Sequence, residues 1–461
     1  MRNRKILLII VFLGIVGTFV LADWVADPYI ATLTCVVLGL SLRLATKSCY
    51  IFDLRRVGIT SFWYLTYLAM IFLPAFIVYF DQPGLFRDRY LFAVESVLLT
   101  VPLGWWFATW IWCFSREEID SFFQSPVVDD VPDRTLLLRC WLFLTACLLL
   151  MGAYVIEVKT LPLFYLIKHP GDAAELALLR EDSFKLLNSP LSHAYYWVRE
   201  VFFPLLVAVS LAGYLHLRGR KWLFTFAVAS TAGLAFAAFS LAKAPVALIV
   251  LVSGLMYYLY RQGRPGRKAI AVVLILIFLF PVAVVAYASR SDSTTAWVVL
   301  GAIGYRLFYI PTEGVYFYFE IFPSHIPYLH GRAIDKFAKL MGMQYFDTPN
   351  VVGTYAFPQG LESVSANAAF IADLNADFGM AGVLLGGILT GMVMQGIQIF
   401  VLRRRKTVAT LALFAFLIAV FWFLNSTALI IVLLSNGGIP ALAITWFLDR
   451  RPNRGLLPVR V

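Results

Sequence analysis

The 461-residue sequence predicts an all-α, polytopic integral membrane protein. Three observations predict this fold class: the composition, the lengths of the apolar runs and the distribution of charge. Apolar residues make up 61% of the chain and charged residues 14%, and the mean hydropathy is +0.80. Water-soluble domains carry about 45–50% apolar and about 25% charged residues. The composition therefore excludes a soluble globule and a disordered chain, and the net charge of +11 does not indicate nucleic-acid binding.

Twelve apolar runs are long enough to cross the hydrocarbon core, which needs roughly 20 helical residues. The predicted spans are residues 5–22, 26–42, 61–80, 90–114, 135–157, 201–217, 222–241, 245–260, 269–288, 379–401, 408–424 and 427–447. The first run also has features of a signal peptide, since basic residues precede it and Val20-Leu21-Ala22 ends it. We interpret it as a retained span, so that residues 1–461 form a single transmembrane domain.

The distribution of basic residues predicts the orientation. If the N-terminus is cytoplasmic, the inner segments carry a net charge of +17 and the outer segments −5, while Glu95 lies inside a span. Short basic loops stay on the cytoplasmic side. The sequence therefore predicts a lipid-bilayer protein with both termini in the cytoplasm.

The sequence carries no pattern typical of a cofactor or metal site. Its five cysteines form no CxxC pair and no Cys/His spacing typical of a metal site, and no phosphate-binding glycine loop is present. We expect no cofactor and no metal.

Two predicted outer loops are long: residues 158–200 and 289–378. Loops longer than about 12–15 residues are usually functional or disordered, and the composition of these two argues against disorder. The first contains an amphipathic run from Asp172 to Leu187, and in the second eight of the eighteen residues from Tyr305 to Phe322 are Tyr or Phe. We therefore expect short helices in both loops and the active surface on the outer side.

Several cations run against the acidic character of the outer side. They are Arg180, Arg199, Lys243, Arg290, Arg306 and Arg332. Arginine binds phosphate through two parallel hydrogen bonds. The alternative is ion pairing with the neighbouring Glu181, Glu200 and Asp335, or snorkelling to the interface.

Arg306, Glu313 and Glu320 recur at seven-residue spacing in the aromatic run. On a regular helix they would share one face, with about 10.5 Å between successive members. Pro311 would kink the helix and shorten the distance. A cation and a carboxylate so placed could serve the two ends of a glycosyl transfer, and the alternative is an interfacial helix with a solvated stripe.

Other polar and small residues carry weaker signals. Of the outer histidines, His193 is the best candidate because Tyr195, Tyr196 and Arg199 follow it. Asp23 and Asp27 lie in the first outer loop, where acidic residues suit a polyprenyl-phosphate-sugar transferase. A glycine stripe opens the tenth span, and we interpret it as close helix packing with freedom to bend. Its members are Gly379, Gly382, Gly386, Gly387 and Gly391.

Taken in order, these features resemble the Wzy-type polysaccharide polymerases, which polymerise O-antigen and other oligosaccharide repeat units. The similarity is greatest to the branch of the enterobacterial common antigen polymerase. The matching features are Leu161-Pro162-Leu163-Phe164 with Arg180, Lys243 after the seventh span, Arg306-x-x-x-x-Pro311-x-Glu313, and re-entry through Phe378-Gly379-x-x-Gly382. Related proteins often carry arginine where this chain has Lys243, which cannot bind phosphate as a fork.

The resemblance implies a metal-independent glycosyltransferase of GT-C architecture in the cell inner membrane, with its active site on the periplasmic side. The expected partner is an undecaprenyl-diphosphate-linked oligosaccharide, together with a chain-length regulator protein. Glu313 would be the general base, with Glu320 and Asp377 behind it. Arg180, Arg199, Arg306 and Lys243 would bind diphosphate. Contacts to sugar or lipid would come from Tyr305, Tyr309, Tyr316 and His193.

Two other classes stay open at this point. One is a different glycosyltransferase, such as an O-antigen ligase or a polyprenyl-phosphate-sugar transferase. The other is a lipid-linked oligosaccharide flippase or transporter. Transporters typically show internal repeats and mid-membrane charges, whereas this chain places most of its charges in loops.

Overall fold

The computed structural model describes residues 28–48, 55–82, 84–128, 130–158, 160–169, 175–176, 178–179, 191–262, 301, 304–356 and 365–450. Within these ranges all regular secondary structure is helical and no strand occurs, which confirms the predicted all-α class. The α-helices are α1 (Pro28–Ser48), α2 (Ile59–Tyr67), α3 (Leu73–Asp81), α4 (Arg87–Ile111), α5 (Arg116–Gln124), α6 (Asp133–Glu157), α7 (Pro162–Lys168), α8 (Ser192–Trp197), α9 (Phe203–Leu217), α10 (Arg220–Phe239), α11 (Lys243–Tyr260), α12 (Ile310–Ile321), α13 (Asp335–Leu340), α14 (Thr348–Ala356), α15 (Ile371–Leu402), α16 (Val408–Val420), α17 (Leu429–Leu434) and α18 (Gly438–Asp449).

Nine helices in the described part of the chain are long and apolar enough to cross a membrane. They are Ile59–Asp81, Arg87–Ile111, Asp133–Glu157, Ser192–Leu217, Arg220–Phe239, Lys243–Tyr260, Ile371–Leu402, Val408–Asn425 and Leu429–Asp449. Each overlaps one predicted span, and the predicted span 26–42 corresponds to the shorter apolar part of α1. The predicted spans 5–22 and 269–288 lie outside the described residues, as do residues 172–174, 177 and 180–187 of the amphipathic run.

The helix that ends the first predicted loop begins at Ser192, nine residues before the predicted start of the span at 201. The predicted boundary avoided Arg199 and Glu200. In the structure these two side chains pair with each other at 2.8 Å. Mutual neutralisation lets both charges lie within an otherwise apolar helix.

The described residues contain three π-helical turns, two of them inside long helices and one directly before α12. They are Leu68–Phe72, Val198–Phe202 and Tyr305–Tyr309. A proline follows the end of each turn by two residues, at Pro74, Pro204 and Pro311. Proline lacks an N–H donor and its ring clashes with the carbonyl of the preceding turn, and a wider turn relieves both problems. Two of these turns carry an arginine at the same place, five residues before the proline: Arg199 and Arg306.

The chain forms two compact units, each built from separate stretches of sequence. The first unit comprises Met1–Asp53, Tyr64–Arg116 and Phe308–Ile397, and the second Leu54–Trp63, Glu117–Leu307 and Gln398–Val461.

Close backbone approach between α4 and α15 organises part of the first unit. A Cβ atom on Gly391 would lie 2.1 Å from the carbonyl oxygen of Val101, and one on Gly104 would lie 2.1 Å from that of Ile388. The predicted packing role of the glycine stripe is therefore confirmed. The bend is confirmed too, since Gly379 adopts φ 63° inside α15, a conformation that disfavours residues with a Cβ.

Helix α16 forms the core of the second unit, and every residue from Val408 to Val420 is buried. A helix that is apolar all round lies either in a protein core or in a membrane, and α9, α11 and α18 pack against this one.

Ion pairs join three segments of the second unit that the sequence predicts to be cytoplasmic. The pairs are Arg56–Asp120 at 3.0 Å, Arg403–Glu118 at 2.8 Å and Arg405–Asp130 at 2.9 Å. The contacts between these three segments agree with the prediction that all three lie on the same side of the membrane. That this side is the cytoplasmic one stays a prediction.

Candidate active site

Glu313 lies in the first turn of α12, which packs beside α3 and α4 in the first unit. Pro311 fixes the backbone of this turn. Gly314 permits a close approach to the chain, because a Cβ atom there would lie 2.9 Å from the carbonyl oxygen of Asn367. The Glu313 residue is only 8% exposed. Helix α12 therefore holds a carboxyl group inside the unit rather than in solvent.

The environment of Glu313 leaves one carboxylate oxygen available for chemistry. Gln82 Nε2 donates a hydrogen bond to Oε1 at 3.2 Å. Oε2 is buried and has no hydrogen-bond partner among the described residues. Burial raises the pKa of Glu313, the Gln82 hydrogen bond lowers it, and the charge of Asp81 raises it, with a net increase. A carboxyl group that titrates nearer to neutral pH can accept and return a proton under physiological conditions.

Two of the predicted contact tyrosines lie near this carboxyl group. Tyr309 Oη donates to Asp81 Oδ2 at 3.2 Å, and Asp81 is the charge that acts on Glu313. Tyr316 is buried one turn beyond Glu313, and a Cβ atom on Gly84 would lie 2.0 Å from its hydroxyl oxygen. The glycine thus makes room for the phenol. Both tyrosines thus lie on or next to the first turns of α12, as Glu313 does, and their contact with sugar or lipid stays a prediction.

Tyr90 was not predicted and adds a second unsatisfied group to the same region. Its ring meets that of Tyr316 edge to face at a centroid distance of 5.6 Å, and it interacts electrostatically with Glu313. Its hydroxyl is buried without a hydrogen-bond partner in the described residues. A buried polar group without a partner costs free energy. A polar ligand that supplied hydrogen bonds here would recover that cost.

Arg89 is the second residue that the sequence analysis missed. Its Nη2 atom donates to Tyr328 Oη and, at 3.4 Å, to Asn375 Oδ1. Asn375 in turn donates from Nδ2 to the carbonyl oxygen of Tyr318 at 3.4 Å. A signal was present, because Arg87 and Arg89 are basic residues of a short predicted outer segment on the acidic side.

The two alternative bases have other contacts. Asp377 is fully buried, and its Oδ1 atom accepts from the backbone N–H groups of Gly331 at 2.8 Å and Ala333 at 3.0 Å. It thereby holds the turn that follows Tyr328. Glu320 is partly exposed and hydrogen-bonds with Tyr355. Asp377 Oδ2, like Glu313 Oε2, is buried without a hydrogen-bond partner among the described residues, so the two carboxyl groups differ in their other oxygen: two backbone amides hold Asp377 Oδ1, whereas the Gln82 side chain contacts Glu313 Oε1.

Arg199 belongs to the second unit, and its charge is already compensated. The guanidinium is buried, pairs with Glu200 at 2.8 Å and donates from Nη1 to Ser240 Oγ at 2.9 Å. Its Cζ atom lies 5.7 Å from the ring centroid of Tyr196. This is the ion-paired alternative that the sequence left open, and it ties the π-helical turn to the end of α10.

Lys243 and His193 also lie in the second unit. Lys243 is the first residue of α11 and is partly buried. A cation in the first turn opposes the helix dipole, so this lysine is not placed there for helix stability. His193 is exposed, and its Nδ1 atom lies 3.4 Å from Ser192 Oγ.

Arg306 and Tyr305 are exposed on the π-helical turn that precedes α12. The wider turn is the local consequence of Pro311 and replaces the kink that the sequence predicts at this place. Arg180, Arg290, Asp23 and Asp27 lie outside the described residues.

No cluster of three or more His, Cys, Asp or Glu residues with metal-binding geometry occurs in the described ranges.

No protein-family model matches the chain, and no curated protein or solved structure matches it either. The structure itself defines the class of protein: a helical membrane protein whose first unit contains a buried carboxyl group and adjacent tyrosines.

Proposed function

We propose that the protein is a membrane-embedded glycosyltransferase of GT-C architecture, with about twelve spans, that polymerises lipid-linked oligosaccharide repeat units. The growing glycan passes from undecaprenyl diphosphate to the non-reducing end of a new lipid-linked unit on the outer face of the inner membrane. The observation that carries the proposal is Glu313, a buried carboxyl group with a raised pKa and a free Oε2 atom in the motif of the family resemblance.

The proposed reaction gives each group one task. Glu313 Oε2 accepts the proton of the acceptor hydroxyl group. At the same time the oxygen of that hydroxyl group forms a bond to the anomeric carbon of the donor. The bond from that carbon to the diphosphate oxygen breaks, and the electron pair leaves on undecaprenyl diphosphate. Cations stabilise the charge that develops on the leaving group.

The surroundings of Glu313 favour sugar chemistry at a membrane surface. Tyrosine combines an apolar ring with a hydroxyl group that makes hydrogen bonds, which suits a sugar. Tyr309 supplies such a ring, because it is partly exposed and lies four residues before Glu313, whereas Tyr316 and Tyr90 are buried. The nine apolar helices provide the lipid-facing scaffold that a polyprenyl substrate needs.

The test is a polymerisation assay with the full chain. The lipid-linked repeat-unit pool is extracted from cells that lack the protein and is added to purified protein in nanodiscs. A ladder of products that differ by one repeat unit supports the proposal. A single block transferred to a lipid A core acceptor indicates a ligase instead, and vesicle translocation without a new glycosidic bond indicates a flippase.

Glu313→Gln tests the base, with Glu320→Gln as its matched control on the same helix. We expect Glu313→Gln to reduce the polymerisation rate by about 10²-fold or more, as loss of a general base does, and Glu320→Gln to remain close to wild type. Both variants keep the size of the side chain. Loss of activity in Glu320→Gln alone would assign the base to that residue and overturn the choice of Glu313.

A further inference from the structure

Arg89 has an unusual combination of fixed position and uncompensated charge. It is the third residue of α4, and the hydrogen bonds from its Nη2 atom reach two other stretches of the chain, at Tyr328 and Asn375. The Tyr328 ring lies beside the guanidinium, with 6.0 Å from the Arg89 Cζ atom to the ring centroid. These contacts hold one end of the guanidinium and fix its orientation.

Both partners of Arg89 are neutral. No carboxylate of a described residue lies within 4.0 Å of its guanidinium nitrogens. Arg199 differs, because Glu200 lies 2.8 Å from it. An oriented cation without a counter-charge attracts an anion more strongly than one that an acid already neutralises. Arg89 thus supplies an uncompensated positive charge in the unit that contains Glu313.

The donors that remain on Arg89 suit phosphate. The hydrogen bonds to Tyr328 and Asn375 use Nη2 alone, and no described residue accepts a hydrogen bond from Nε or Nη1. Arg89 is partly exposed, so the residue is not sealed inside the unit. Hydrogen bonds between guanidinium and phosphate are charge-assisted and stronger than neutral ones.

We propose that Arg89 is a phosphate-binding residue of the first unit and that its Nε and Nη1 groups bind the diphosphate of the lipid-linked substrate. Tyr328 and Asn375 are positioning residues that orient the guanidinium. The identity of the anion as a polyprenyl diphosphate rests on the proposed function. A phospholipid headgroup offers the same phosphate chemistry at the same membrane surface, and the experiment separates the two sources.

The experiment measures binding rather than turnover. The full chain is reconstituted in phosphatidylcholine nanodiscs, and undecaprenyl diphosphate is titrated in to obtain Kd. We expect Arg89→Gln to raise Kd at least about tenfold, because a charge-assisted hydrogen bond is lost. Arg87→Gln is the matched control: it removes the same charge two residues away, from an arginine that lies 3.9 Å from Asp88. It should leave Kd within about twofold of wild type, as expected for a screened surface charge.

Tyr328→Phe keeps Arg89 and its charge but removes one positioning hydrogen bond. We expect an intermediate increase in Kd, and this variant still tests the proposal if Arg89→Gln fails to fold. An unchanged Kd in both Arg89→Gln and Tyr328→Phe would overturn the proposal, as would equal losses in Arg89→Gln and Arg87→Gln.

A second measurement distinguishes the two sources of phosphate. Native mass spectrometry in mixed nanodiscs compares phosphatidylglycerol retained by wild type and by Arg89→Gln. Loss of bound phosphatidylglycerol with unchanged undecaprenyl diphosphate affinity would overturn the assignment to the lipid-linked substrate and assign Arg89 to a phospholipid headgroup instead. Arg89-dependent binding of undecaprenyl diphosphate by a protein that makes no polymer supports this inference while overturning the proposed polymerase activity.

Discussion

The pKa of Glu313 offers the sharpest test of the site, because two neighbours act on it in opposite directions. Gln82→Met removes the hydrogen bond to Oε1 that stabilises the carboxylate. A hydrogen bond to a charged group contributes about 1.5–3 kcal/mol, and the partly exposed Gln82 belongs at the low end of that range. Loss of this hydrogen bond destabilises the carboxylate relative to the neutral acid, so we expect the pKa of Glu313 to rise.

Asp81→Asn should have the opposite effect. The Asp81 charge raises the pKa of Glu313, so its removal should lower that pKa, while the amide oxygen still accepts the hydrogen bond of Tyr309. A base works only when deprotonated, so activity is lost as the pH falls through its pKa. The acidic limb of kcat/KM should therefore move to higher pH in Gln82→Met and to lower pH in Asp81→Asn.

The assay is the pH dependence of kcat/KM in each variant, supported by infrared titration of the carboxylic C=O band, which needs no turnover. Glu313→Gln identifies the band that belongs to this carboxyl group. Shifts of both variants in the same direction, or no shift in either, would refute the electrostatic account of the site. If the acidic limb of kcat/KM moves but the infrared band of Glu313 does not, another group is the base.

Three further predictions concern stability. Gly391→Leu should abolish folded protein in the membrane, because a side chain at this position would meet the Val101 carbonyl. Gly39→Leu is the control and should express normally, because there is open space around Gly39. The yield of detergent-extracted protein in size-exclusion chromatography checks both variants. Arg199→Gln should cost about 3–5 kcal/mol by leaving Glu200 charged and unpaired, and Glu200→Gln in addition should recover part of the loss in Tm. Burial lowers the pKa of Lys406 to about 8, below its usual 10.5. Between these two pH values the folded state binds fewer protons than the unfolded state, so Tm should rise with pH. Lys406→Met should flatten that rise.

Local sequence rules account for more of this structure than the apolar pattern suggests. A proline follows each of the three π-helical turns in the described residues by two positions, and the wider turn relieves the missing N–H and the ring clash, although Pro102 lies inside α4 without such a turn. The repeated Arg-x-x-x-x-Pro spacing could have identified the turns that carry Arg199 and Arg306 from sequence alone. The glycine stripe also predicts a local feature, because small residues at about every fourth position let two helices approach closely.

The candidate site was only partly predictable. Glu313, Tyr309 and Tyr316 lie close together in sequence, so one motif could identify them. Gln82 lies 231 residues from Glu313, and no spacing rule brings the two together. Arg89 likewise meets a tyrosine 239 residues away. Contacts of this kind depend on how the helices pack, and a single sequence does not carry that information.

Local features of the sequence are enough to predict that the chain is a helical membrane protein, where its long helices lie and that the glycine stripe permits close packing. Those properties follow from apolar run length and side-chain size, which are local. Which charges are compensated depends instead on how the helices pack. Arg199 and Arg89 are equally basic in the sequence, but packing gives the first a carboxylate partner and the second only neutral ones. The energy of a charge depends on its neighbours in space, and those neighbours come from distant parts of the chain.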